Sequence, residues 1–186
     1  FLFILKRGRH YSVVLFHFNI PYFKGGFVGV DAFFVISGFL ISRIIISKME
    51  INNFNFVDFY LNRAKRLLPA LYVLLIVCIT IGLIIFDYSS LKDLGKQVIA
   101  TNLYFSNFLF WRDAGYFDLP PILKPLLHTW SLSIEEQFYL FFPFFIYLSF
   151  KLGKKIFLLI TILTLISSFV FNLYGIIHFK SATFYF

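Results

Sequence analysis

Residues 67–86 run for a full membrane thickness without a charged side chain. Hydrocarbon about 30 Å thick takes roughly 20 apolar residues in helical form. There, every backbone N–H and C=O must be satisfied within the segment. Pro69 stands near the start of this run, where a missing N–H does no harm. Further apolar stretches lie at about residues 11–21, 27–47, 134–150 and 156–177. Charged residues make up 14% of the chain, against about 25% in a soluble domain. The mean hydropathy is +0.83. Together these features predict an all-α protein: a polytopic transmembrane helix bundle of about five spans, in a single membrane domain covering residues 1–186.

Charge placement orients the bundle. Lys151, Lys154 and Lys155 crowd one tight connection, and short basic loops lie on the cytoplasmic side. This puts the N-terminus and residues 43–66 inside, and residues 87 to about 131 outside. Residues 98–111 are too short and too polar for a comfortable span, so they read as a re-entrant or interfacial element outside the count. Within the inner loop, residues 55–68 have helical periodicity. Phe56, Phe59, Tyr60, Ala64 and Leu67 share a face, which leaves Arg63, Lys65 and Arg66 toward water or headgroups. The expectation is an amphipathic helix on the cytoplasmic surface leading into the next span.

The net charge of +8 follows from this topology, and the basic residues form no continuous face for phosphate neutralisation; nucleic acid is not expected as a partner. Cys78 is the single cysteine and lies in an apolar run, so it reads as a small packing residue. His10, His17, His128 and His178 have no ligand spacing, and no metal is expected.

Ionisable groups at membrane depth cost about 2.5–3.5 kcal/mol at a helix centre, so they mark where chemistry should be sought. His17 lies in the first apolar segment. Neutral imidazole suits a general base for a hydroxyl proton; a histidine bonded to a neighbouring helix is the plainer reading. Asp31 follows Gly25, Gly26 and Gly29 at the outer end of the second span. It could orient a base or a substrate hydroxyl, or stabilise a helix start through the macrodipole. Arg63 and Arg66, at i and i+3, can reach one phosphate-bearing donor, or simply meet anionic lipid. Glu135 and Glu136 stand at the mouth of a span, just after His128 and Trp130. Ser133 and Glu136 fit a capping box, yet two adjacent acids exceed what capping needs. Trp130 offers a face for a sugar ring.

The stretches GGFVGVDAFFVISGFLI (25–41), DFYLNRAKRLLPA (58–70) and LLHTWSLSIEEQFYL (126–140) closely resemble the acyltransferase-3 family of bacterial integral membrane O-acyltransferases. Their order and spacing match as well. The resemblance implies a longer bundle, of which this chain is the N-terminal part. The start at Phe1 rather than Met fits missing upstream sequence. The implied activity is transfer of an acyl group, typically acetyl, from cytoplasmic acyl-CoA to hydroxyls of a cell-surface or exported glycan. The setting would be the bacterial inner membrane, with no bound cofactor. Carried over by position, His17 is the catalytic base, with Asp31, Glu135 and Glu136 in support. Arg63 and Arg66 handle the donor, and His128 and Trp130 face the acceptor. The family's arginine, ten intervening residues before its histidine, is replaced by Lys6, with Arg7 one place late. Lysine keeps the charge but loses the bidentate fork. The alternative is a truncated, catalytically inactive remnant of such an enzyme.

Overall fold

The computed structural model describes residues 28–114 and 123–179. The first apolar segment, at 11–21, lies outside the described residues, and so do Lys6, Arg7 and His17. The chain divides into two compact units, residues 1–54 and 55–186.

In the first unit, α1 (Val28–Glu50) carries Asp31 in its first turn and Lys48 in its last. Each charge complements the helix end it occupies. Ser42 donates to the Gly38 carbonyl at 2.7 Å, and Ser37 is buried. Ser42 thus satisfies its hydroxyl within the helix, one turn beyond the small Ser37–Gly38 notch.

The second unit begins with α2 (Phe56–Ile85), whose Asn55 cap accepts from the Val57 N–H at 2.8 Å. The sequence predicted a surface helix at 55–68 followed by a separate span. The structure instead joins them in one helix that continues through Pro69. A proline inside a helix removes one i→i−4 bond and strains one turn; a long apolar helix tolerates that locally, because the remaining turns stay bonded.

Next come α3 (Tyr88–Asn102) and α4 (Ser106–Asp113). Asp87 caps α3 by accepting from Ser89 and Ser90, and its bonding to Ser90 holds the carboxyl below the usual range. At 1.5 Å per residue these helices are about 22 and 12 Å long, short of a crossing. They fold back on each other: Asp93, Lys96 and Gln97 of α3 share one small cavity with Leu109, Phe110 and Asp113 of α4. The turn between them is left-handed at Tyr104, with φ +56°. Residues 98–111 therefore form the tip and return arm of a helical hairpin.

The last two helices are α5 (Thr129–Lys151) and α6 (Lys154–His178). Gly153 joins them at φ +96°, a conformation that a side chain would oppose. Helices α1, α2 and α6 contain segments long and apolar enough to cross a membrane: Asp31–Glu50, Phe56–Ile85 and Lys155–His178. Most of the side chains of α6 are exposed, as suits a helix meeting lipid or further helices.

A leucine cluster of Leu71, Leu75, Leu94 and Leu126 ties α2 to α3 and to the approach to α5; Cys78 packs against it. Polar side chains then align the hairpin with α5. Gln97 donates to the Leu123 carbonyl at 3.2 Å and accepts from the Leu126 N–H at 3.4 Å. Thr101 and Thr129 pair at 2.9 Å, and Ser106 and Ser133 at 2.7 Å. Ser133 also accepts from the Ser106 N–H at 3.2 Å. These groups are buried, so each requires its partner.

This overturns the capping box expected of Ser133 and Glu136. Helix α5 starts a turn earlier, at Thr129, so both residues are interior and the Ser133 hydroxyl serves α4 instead.

Ser133→Val strands the hydroxyl and N–H of Ser106. It should cost about 1–3 kcal/mol, read as a lowered unfolding midpoint in detergent. In a double-mutant cycle, Ser106→Ala with Ser133→Ala should cost clearly less than the sum of the single changes.

Candidate active site

Helices α2 and α5 meet through long side chains. At one end Phe56 stacks on Phe144 with centroids 4.6 Å apart, and the Tyr60 hydroxyl donates to the Leu140 carbonyl at 2.8 Å. One turn along α2, Arg63 reaches across to α5. Its Nη2 lies 3.7 Å from Glu135 Oε1, and its guanidinium carbon sits 3.5 Å above the Tyr139 ring. The Tyr139 hydroxyl donates to the same Glu135 oxygen. Glu135 and Tyr139 are i and i+4 on one helix face, so the arginine is gripped by a carboxylate and a ring at once.

This placement corrects the expectation that Arg63 would point to water or headgroups. Phe59, Arg63 and Leu67 fall at i, i+4 and i+8, and so belong to the packed stripe of α2 rather than to its polar face. The side chain of Arg63 is only 21% exposed and that of Glu135 10%. Such a pair is held by mutual neutralisation, since each charge alone would be strongly penalised. Arg66 and Lys65 are exposed. The two arginines therefore differ: one is built into the interior and one is presented outward.

Beside the pair lies a cavity of about 370 Å³. Arg63 and Leu67 of α2, Tyr104 in the hairpin turn, and Glu136 and Gln137 of α5 are among its walls. Most of the lining is apolar, with the polar groups gathered at Arg63, Glu136 and Gln137. The Oε1 atom of Glu136 is buried and has no hydrogen-bond partner among the described residues. The arrangement places Glu135 against the Arg63 guanidinium and Glu136 within its electrostatic reach, in a half-open cleft lined mainly by aromatic and aliphatic groups. Chemically, it can accept a hydrogen bond at Glu136 and donate one from Arg63 across a space of small-molecule size.

The other expected residues fall elsewhere. His128 is the residue before α5 and makes no side-chain cap bond; it is exposed, and Trp130 is half-buried. Neither lines the cavity; Glu136 is six residues beyond Trp130, about 9 Å along the axis. Asp31 is exposed in the first turn of α1. Sequence reasoning passed over Tyr104, Gln137 and Tyr139. For Tyr139 a signal existed in its i+4 spacing from Glu135. Tyr104 gave none, because its position depends on the turn.

Taken together, three helices long and apolar enough to cross a membrane and a largely buried charged cluster between α2 and α5 define a multi-helix membrane protein with a polar site. Residues 8–186 match the acyltransferase domain family, and the chain belongs to this acyltransferase-3 family. It is 40% identical over 146 residues to the peptidoglycan O-acetyltransferase OatA of Listeria monocytogenes, covering 77% of this chain and 23% of that protein. It is 40% identical over 134 residues to the O-acetyltransferase OatA of Staphylococcus aureus, covering 71% of this chain and 22% of that protein. An uncharacterized protein of Haemophilus influenzae is 39% identical over 156 residues, 84% of this chain and 62% of that one. The chain thus spans about a quarter of the length of the OatA proteins. No solved structure matches.

Arg63→Met leaves Glu135 and Glu136 without their cation and should destabilise the fold by about 3 kcal/mol. Adding Glu135→Gln should restore much of that loss. Unfolding midpoints of the single and double variants in detergent provide the check.

Proposed function

We propose that the protein to which this chain belongs transfers an acyl group, acetyl by analogy with its relatives, from acyl-CoA to a hydroxyl of a cell-envelope glycan. The observation that carries the reading is the Arg63–Glu135–Glu136 cluster beside a half-open, largely apolar cleft, in a chain of the acyltransferase-3 family. An acyl transfer needs a base for the attacking hydroxyl, a donor held in register, and exclusion of competing water.

In this reading His17 takes the proton from the glycan hydroxyl. The hydroxyl oxygen attacks the thioester carbonyl, and the CoA thiolate departs with a proton. Arg63, at the cavity wall, offers N–H groups to the carbonyl oxygen as it gains negative charge. Glu135 and Tyr139 hold that guanidinium in place. Glu136 accepts a hydrogen bond from the substrate. The exposed Arg66, with Lys6 and Arg7, meets the phosphates of the CoA. Asp31 orients His17 or the attacking hydroxyl. His128 and Trp130, at the opposite end of α5 from Lys151, receive the acceptor sugar. The topology that fits is a multi-pass protein of the bacterial cell membrane, with the N-terminus, the CoA side and the basic 151–155 connection in the cytoplasm. Acyl-CoA is a substrate here rather than a resident cofactor.

In the full-length protein, His17→Ala should abolish glycan acetylation while the protein still accumulates in membranes. Label from acetyl-CoA incorporated into cell-wall glycan is the readout. Unchanged acetylation in that variant would remove His17 from the mechanism.

A further inference from the structure

The hairpin turn forms one wall of the cavity, and its conformation is strained. Tyr104 adopts φ +56°, a left-handed geometry that a bulky residue keeps only where its surroundings enforce it. The end of α3 closes that turn through its own backbone, with the Phe105 N–H on the Ala100 carbonyl at 2.7 Å, and one side chain on α5 then ties the turn to the helices around it. Gln137 Nε2 donates to the Tyr104 carbonyl at 2.7 Å and to Asn107 Oδ1 at 3.0 Å. The return contact, Asn107 Nδ2 to Gln137 Oε1, is 3.5 Å. The amide therefore clamps the strained residue and the first turn of α4 together. Asn107 is fully buried, so water does not readily replace this clamp. Gln137 is also the neighbour of Glu136, and both line the cavity with Tyr104.

We propose that Gln137 is a positioning residue: it fixes the Tyr104 turn as a cavity wall and so holds the acyl donor in register with Arg63 and Glu136. The inference rests on the acyl-transfer reading and adds to it the residue that sets the shape of the donor site. Glutamine is suited to the task because its amide donates two bonds from one nitrogen and carries no charge into the interior. Glutamate in its place would face the Tyr104 carbonyl with an acceptor.

The test compares the full-length protein with Gln137→Met, which keeps the volume and removes both donors, and with Gln137→Asn, whose shorter arm retains at most part of the clamp. Amide hydrogen exchange and the KM values for acetyl-CoA and for the glycan are measured on each. Gln137→Met should raise exchange at residues 103–107 by roughly tenfold or more, leaving the Leu71–Leu75 region protected. The KM for acetyl-CoA should rise about tenfold with the glycan KM unchanged, and Gln137→Asn should fall between.

Exchange that rises uniformly along the chain marks a merely structural role and overturns the proposal. Wild-type acetyl-CoA KM in both variants does the same. Should Gln137→Met fail to accumulate, Asn107→Ala decides: faster exchange confined to the start of α4 supports the clamp, and unchanged exchange overturns it. Full-length wild-type protein that transfers nothing from acetyl-CoA overturns the acyl-transfer reading. Intact transfer with an unchanged donor KM in the variants overturns only the role given to Gln137.

Discussion

A chain that turns round between packed helices must find hydrogen-bond partners for the polar groups it buries there. Here α5 supplies them. Thr129, Ser133 and Gln137 recur at i+4 intervals and meet Thr101, Ser106, Asn107 and the Tyr104 carbonyl in turn. This column fixes both the depth of the α3–α4 hairpin and the rotation of α5. The rest of the site follows from that rotation. At about 100° per residue, Glu135 lies on the far side of the helix from Ser133, facing α2, and Glu136 falls between the two faces. One helix therefore holds the hairpin with one side and Arg63 with the other. The carboxylate between those sides opens onto the space they leave.

Arg63 shows why such a site needs a scaffold of this kind. An arginine on the packed stripe of a long apolar helix is costly unless compensated. It is compensated here by Glu135 and by the face of Tyr139, whose hydroxyl is itself committed to Glu135. Three groups from two helices thus constrain one another. The cavity can remain mostly apolar around them because its charge is held at a single point on the wall. Exposed Arg66, one turn away, carries no such constraint; it suits contact with a ligand or surface outside the bundle rather than chemistry within it.

The long apolar helices were legible in the sequence because a span is defined by length and composition, both local properties. The hairpin at 98–111 was half legible: its shortness and its Asn102, Ser106 and Asn107 argued against a crossing, but which groups those side chains bond is set by α5. The continuity of α2 through Pro69 was obscured by the amphipathic pattern of 55–68, which reads as a surface helix, although the helix on either side of the proline has enough bonds to carry it. Arg63 was assigned to the polar face because Arg66 and Lys65 pulled the reading outward. The i+4 spacing of Phe59, Arg63 and Leu67 carried the opposite signal. The capping box was misread for a related reason. Ser133 and Glu136 have the right spacing, but the helix begins at Thr129, so spacing alone could not tell a helix end from a helix interior.

The imbalance of charge at the site constrains what it can hold. Glu135 pairs with the one guanidinium, Glu136 lies within its field, and an oxygen of Glu136 is buried without a hydrogen-bond partner among the described residues. In its ionised form Glu136 can only accept a hydrogen bond, and that form is matched by a ligand that brings an N–H or O–H donor. A thioester carbonyl brings only acceptors and is matched by Arg63. Amide groups along a donor's arm, or the hydroxyls of a sugar, bring the donors that Glu136 lacks. The two groups therefore ask for opposite hydrogen-bonding character a short distance apart on the cavity wall, and an acyl donor meeting its hydroxyl acceptor presents both.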